Sequence, residues 1–350
     1  MYIYYIMYKI QEFTPEHNKS KSLNLEKYFD RKKILRSCFV TNDLEISFQY
    51  CIKHEDHKCQ STPKPTIIFI HSLNQDSNFW LCSLYHFCDF ANVYAIDLPN
   101  SGGSSDTTLA NLSLAVLTQI IYDFVIHLCL KRVYIVGHGI GGQIALNFAA
   151  TYPDYVVKVA LSSTSPFYFP GGESWPFPMS IELQLLLTQF TTPGLTCAEL
   201  KTLAAEISKL VDPIIIRCDN FNELVFQYVK NVQQITLYFQ LWPSIDVRSI
   251  LSQITAPVLI TDGTLDPYVP LGASLYLRNQ IVDSALVEYY GQGSDNPFFI
   301  PEVFNEDVQN FFFNRRPNCY GCKKCPFKTC DCSRDCKCGC NEGQICKCEH

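Results

Sequence analysis

Short apolar runs recur along this chain, with helical patterns between them. Residues 66–70, 93–96, 133–136, 157–161, 257–260 and 285–289 are each rich in Ile, Val, Leu and Ala. Thr66 to Ile70 is a continuous apolar run, the mark of a strand buried on both faces. Between the runs, residues 76–90, 112–130, 140–150 and 302–313 carry apolar residues at helical spacing. Strands alternating with helices predict a parallel sheet covered on both sides. Phe39 to Phe48 reads as two short strands around the turn pair Asn42-Asp43, and 54–65 as a polar loop. With 350 residues, 47% of them hydrophobic and 18% charged, the chain can bury a large α/β core.

The expected organisation has three parts. Residues 1–35 form a polar extension, 36–314 the α/β domain, and 315–350 a cysteine-rich tail. Helical segments near 180–190, 198–210 and 221–240 belong to an insertion at about 166–247. This insertion is expected to cap the carboxyl ends of the strands, where open α/β sheets bind ligands. A net charge of −6, from 28 basic and 34 acidic residues, gives no basic face for nucleic acid. No apolar run approaches the ~20 residues of a spanning helix. The Tyr-rich start lacks a basic region and a cleavage site, so a cytoplasmic location with mostly free thiols is expected.

After the run 133–136 comes Gly137-His138-Gly139-Ile140-Gly141-Gly142, a strand, tight turn and helix in succession. Together with Gln143 to Ala149 and Tyr152-Pro153, this stretch resembles the nucleophile elbow of the α/β-hydrolase family. Other pieces resemble that family in order. His71-Ser72-Leu73 stands where the family has its His-Gly oxyanion loop. Asp97-Leu98-Pro99-Asn100-Ser101-Gly102-Gly103-Ser104 resembles its Asp-Leu-Pro turn. Gly263-Thr264-Leu265-Asp266-Pro267 resembles the loop carrying its acid. The resemblance implies an α/β-hydrolase fold over about 36–313, a helical cap, and oxyanion-hole amides at Leu73 and Ile140. No cofactor is implied for this domain.

The departures fall on the catalytic positions. The nucleophile position is Gly139, which has no side chain to attack a carbonyl. The base position, in Gly291-Gln292-Gly293-Ser294, is Ser294, whose hydroxyl takes no proton near neutral pH. The histidines are His17, His54, His57, His71, His86, His127, His138 and His350, so none lies from 139 to 349. Asp266 alone of the triad is kept. Loss of the nucleophile or of the base of a working triad alone costs about 10⁶ in kcat. The resulting expectation is a non-hydrolysing ligand-binding or interaction protein. The alternative is an ester- or epoxide-type hydrolase with relocated residues: Ser72, Ser162, Ser163 or Ser165 as nucleophile and His71 or His138 as base. Phe167, Phe169, Trp175, Phe177 and Phe190 of the cap would line a site for a small apolar ligand with one carbonyl or carboxylate.

The tail packs ten cysteines into its residues: Cys319, Cys322, Cys325, Cys330, Cys332, Cys336, Cys338, Cys340, Cys346 and Cys348. Little else there can build a core, so order must come from cross-links or metal. Cys-x-Cys pairs can wrap or bridge soft ions, and the segment resembles metallothioneins in that density, which implies Zn²⁺ or Cu(I). Disulfides, or a segment with no ligand at all, are the competing readings. His54, His57 and Cys59 form a weaker ligand cluster, with a plain polar loop as the alternative.

Overall fold

A computed structural model of the chain describes residues 34–52, 64–72, 75–167 and 237–313 except 239 and 267, with isolated positions between 185 and 206. The extension, most of the insertion, the cluster at 54–59 and the tail lie outside the described residues. Strand β1 (Leu35–Thr41) turns into β2 (Leu44–Cys51), and the two pair antiparallel. Asn42 and Asp43 both take positive φ, 48° and 62°, the backbone that a tight two-residue hairpin demands and that Asn and Asp tolerate.

The alternating part follows as β3 (Thr66–Ile70), α1 (Leu81–Phe87), β4 (Asn92–Ile96), α2 (Leu114–His127), β5 (Val133–His138), α3 (Ile140–Thr151) and β6 (Val156–Ser162). After the insertion come β7 (Val258–Gly263), α4 (Leu271–Gln280), β8 (Ser284–Tyr289), α5 (Asn296–Phe299) and α6 (Pro301–Phe313). The sheet order is β1-β2-β4-β3-β5-β6-β7-β8, with β3 to β8 parallel. The chain runs outward from β3 to β4 and then crosses back to β5. The order therefore reverses between β3 and β5, the switch point at whose strand ends open sheets of this kind place their ligands. All of β3 is buried, as its unbroken apolar run requires.

Two cores lie on opposite faces of the sheet. One joins α2, α3 and α4 through Phe124, Ile144, Phe148 and Leu277. The other joins α1 and α6 through Trp80, Phe87, Phe304 and Phe311. Lys158 on β6 reaches α6, donating to the Phe311 carbonyl at 2.6 Å with its ammonium over the Phe311 ring.

Two elements differ from the sequence pattern. The helix expected over 76–90 opens as a 3-10 turn at Ser77–Trp80, because the Asp76 carboxylate caps the Asn78 amide at 2.8 Å and tightens the first turn. Helix α4 lacks an apolar stripe. It buries only Ala273, Ser274 and Leu277, small enough to bring it close to β7. Cys51 and Cys88, expected as free thiols, are joined in a disulfide linking β2 to the end of α1, with Cα atoms 5.8 Å apart. Among the described residues Cys38, Cys82 and Cys129 are free, and no helix is long and apolar enough to cross a membrane.

Asp97, fully buried at the end of β4, organises the turn that follows. It accepts from the Ser77 amide at 2.7 Å, the Gly103 amide at 3.0 Å and the Arg36 guanidinium at 2.6 Å. Burial works to raise its pKa, but the Gly103 and Ser77 donors outweigh it and hold the carboxyl below the ordinary range. Asp97→Ala would strand the buried Ser77 amide and release the Gly103 amide and the Arg36 guanidinium to solvent, at a cost of about 1–3 kcal/mol. Guanidinium unfolding of the variant beside the parent measures this. A midpoint unchanged from the parent would contradict the role given to Asp97.

Candidate active site at the crossover between β3 and β5

Gly139 joins β5 to α3 at φ 52° and ψ −117°, a conformation that strains any residue with a side chain. Its carbonyl caps α3 by accepting from the Gly142 amide at 3.0 Å. The helix comes so close to β3 that a Cβ on Gly141 would lie 2.3 Å from the Ile70 carbonyl oxygen. This is the strand–turn–helix geometry expected from the Gly-rich stretch, with its apex bare of any side chain.

The space above the apex is filled from the other side. A Cβ built on Gly139 would meet Ser72 Oγ at 2.1 Å and Ser72 Cβ at 2.9 Å. The hydroxyl of Ser72 thus stands where a side chain of residue 139 would begin, and the Ile140 amide points at it from 3.4 Å. The Ser72 amide is fixed by Gln75 Oε1 at 3.0 Å. Leu73, the other expected oxyanion donor, lies outside the described residues.

The histidines separate cleanly. His71 is fully buried, its Nε2 accepting from the Leu98 amide at 2.9 Å and its Nδ1 facing the Ser72 carbonyl at 2.8 Å. Both nitrogens are engaged with backbone and burial pushes its pKa down, so His71 is a neutral structural group, not a base. His138 differs. Its Nδ1 lies 3.2 Å from Ser162 Oγ and 3.1 Å from the Ser162 carbonyl, and its Nε2 lies 3.0 Å from Asp295 Oδ1. Stacking on Phe79, 4.8 Å between centroids, holds the ring. Asp295 also accepts from Gln75 Nε2 at 3.1 Å, so Gln75 ties the Ser72 loop to the Asp295–His138 pair.

A proton on Nε2 lets His138 donate to Asp295 and offer a lone pair to Ser162 Oγ, whereas a proton on Nδ1 goes to the Ser162 carbonyl, 3.1 Å away. The first tautomer gives a Ser-His-Asp chain with the ring nitrogens exchanged relative to the usual order. Ser163 and Ser165 make no such contact. Their hydroxyls donate to the carbonyls of Ser294 at 2.7 Å and Phe167 at 2.6 Å. The position of a serine above the elbow and the contact with a base therefore belong to two residues: Ser72 has the first, and the fully buried Ser162 has the second.

Asp266, the retained acid, is buried and accepts from the Tyr268 and Val269 amides at 2.8 and 2.9 Å. Ser294 is buried beside it, its carbonyl accepting from Ser163 and the Asn296 amide. Phe167, expected in the cap lining, instead pairs with Asp246 and lies under Arg248, 4.1 Å from its guanidinium carbon. Phe169, Trp175, Phe177 and Phe190 lie outside the described residues. Sequence reading missed Asp295. Its signal was only its place next to Ser294, since no motif marks a carboxylate there.

The geometry agrees with what known proteins show. The model of the alpha/beta hydrolase fold matches residues 65–193. A pimeloyl-acyl-carrier-protein methyl ester esterase of Nitrosomonas europaea is 22% identical over 240 residues, 69% of this chain and 92% of that protein. A 2-hydroxy-6-oxononadienedioate/2-hydroxy-6-oxononatrienedioate hydrolase of Paraburkholderia phymatum is 26% identical, over 61% of this chain and 75% of that one. Among solved structures, the enol-lactonase from Burkholderia xenovorans superposes with a TM-score of 0.66 at 17% identity, covering 79% of this chain and 99% of that one. A bacterial membrane phospholipase A superposes at 0.62 with 20% identity, over 79% of this chain and 85% of its own. The chain has the α/β-hydrolase fold: a mostly parallel sheet with the nucleophile-elbow geometry at the crossover. Within it, the relatives compared are esterases and hydrolases.

Because residues 72 and 139 compete for one space, their substitutions are coupled. Gly139→Ser is expected to cost about 1–3 kcal/mol from positive φ, with a further ~1–3 kcal/mol from overlap with Ser72. Ser72→Gly in the same chain relieves the second part alone. A double-mutant cycle on denaturant midpoints should give a favourable coupling of about 0.5–3 kcal/mol. Strict additivity would contradict the shared space.

Proposed function

We propose that this chain hydrolyses carboxylic esters through a hydroxyl displaced from the elbow. The observation that carries this reading is the hydrogen-bonded chain from Ser162 through His138 to Asp295. In that reading Ser162 Oγ attacks the ester carbonyl carbon and its proton passes to His138 Nδ1. The leaving alcohol takes that proton, and water then cleaves the acyl group from Ser162. Asp295 holds the imidazole and balances its charge. The Ile140 amide supports the oxyanion, and Leu73 is the family-like second donor. The named activities of the relatives, a methyl ester esterase and a hydrolase, favour ester substrates. With no nucleophile at the elbow, turnover is expected about 10³–10⁶ below that of an elbow serine.

A second reading, ligand binding without turnover, is favoured by a specific observation: Gly139 offers no nucleophile and Ser72 fills the space above it. A small apolar carboxylate or ester would then be held at the crossover and released unchanged. One experiment separates the two. An activated acetate ester and a fluorophosphonate probe are applied to the parent, to Ser162→Ala and to His138→Gln. Hydrolysis and labelling that both variants abolish support the displaced nucleophile. Turnover that both variants leave intact, or a parent that neither turns over nor is labelled, would overturn it and leave the binding reading.

For the tail the proposal is thiolate binding of Zn²⁺ or Cu(I) by the ten cysteines between Cys319 and Cys348, resting on their spacing. Metal content after purification under reducing conditions tests this. Protein ending at residue 314 should lose the metal that the full chain retains, and equal content in both would refute it.

A further inference from the structure

Two carboxyl groups stand together at the end of β7, and the proposed reaction uses neither. Asp262 is wholly buried. One of its oxygens accepts from the Gly263 amide at 2.9 Å and the other from Ser274 Oγ of α4 at 2.7 Å. Asp266 is buried too; its Oδ1 takes the Tyr268 and Val269 amides, while its Oδ2 has no hydrogen-bond partner. The two carboxyls lie within hydrogen-bonding reach of each other. Two bare carboxylates so placed, out of water, repel strongly and leave one oxygen unsatisfied. A single proton between them removes one charge and gives Oδ2 its partner.

The groups facing this pair are few. Ser274 approaches from α4, the Ser163 hydroxyl from the end of β6, and the His138 ring acts on Asp266 from the end of β5. Among the described residues neither carboxyl makes an ion pair. We propose that Asp262 and Asp266 share one proton in the folded protein and that this proton ties the loop after β7, through Asp266, to the end of that strand, while a separate backbone seam holds the loop to the turn after β8. The seam is visible in the backbone. The Thr264 amide donates to the Tyr289 carbonyl at 3.0 Å, the Leu265 amide to the Gln292 carbonyl at 2.9 Å, and the Gly291 amide to Thr264 Oγ1 at 2.9 Å. That turn leads directly to Asp295, the partner of His138.

Burial pushes the Asp266 carboxyl up to about 6, and burial together with Asp266 pushes Asp262 well above the carboxylate range. A carboxyl whose folded pKa is raised contributes stability that is fully present below the unfolded pKa. That stability is lost as pH rises through the folded value. The shared proton therefore stabilises the fold on the acid side of the pair's raised range, and that stability is lost as pH rises through the range. The inference is independent of ester hydrolysis, and its test reads stability and proton content, not turnover.

The test is Asp262→Asn in the full chain. An Asn amide can donate to Asp266 Oδ2 without a titrating proton. Thermal midpoints of parent and variant are compared at about pH 5 and about pH 8. The variant is expected to match the parent at the lower pH and to exceed it by at least about 2 °C at the higher. Asp307, pushed up to about 6 by its own burial, titrates in the same range, so the difference between the two proteins carries the result. Equal pH dependence in both proteins would overturn the proposal. Should Asp262→Asn not fold, the protonated-carboxyl infrared band of an Asp307→Asn chain at about pH 6 decides instead. A band is expected, and its absence means the shared proton does not exist.

Discussion

The approach of helix α3 to the end of β3 governs the site. Glycine at 141 lets the helix start against the carbonyl of Ile70. That contact leaves room for one side chain between the elbow and the loop after β3. In this chain the occupant comes from Ser72, and Gly139 supplies only its strained backbone and its cap on α3. A hydroxyl is thus retained at the crossover, although it is attached to the other side of it.

From that exchange follows the separation of place and base. His138 stands immediately before the elbow, and its ring meets Ser162 at the end of β6, with Asp295 and Phe79 holding it there. Gln75 bonds both the Ser72 amide and Asp295, so one side chain links Ser72 to the partner of the base. The strand ends β3, β5 and β6 are welded by parallel pairing, Ile70 beside Gly137 and His138 beside Ser162. Side chains at these ends gain fixed directions from the sheet, which is why Ser162 meets His138 while Ser163, one residue on, points at the Ser294 carbonyl.

Much of this was legible in the sequence, and the limits have physical reasons. Fully buried strands announced themselves as apolar runs, so the parallel sheet and the bare apex at Gly139 could be read directly. The hairpin turn was legible because Asn and Asp accept positive φ. Helix α4 was not, since its contact with β7 runs through Ala273 and Ser274, which leave no apolar stripe. Asp295 escaped for a different reason: its partner His138 is 157 residues away, and only the fold brings them within 3.0 Å. The carboxyl pair hid in the same way. Asp262 reads as an ordinary residue after a strand until α4 closes over it with Ser274.

The anchoring of α6 by Lys158 has a consequence for the architecture as a whole. The ammonium pins the last turn of that helix to β6, and Phe313 nests against Phe90 and Tyr134. The described chain therefore ends on the sheet face covered by α1 and α6, whereas the elbow helix lies on the opposite face. The eight-stranded sheet thus stands as a wall between Phe313, the last described residue, and the helix that carries the crossover.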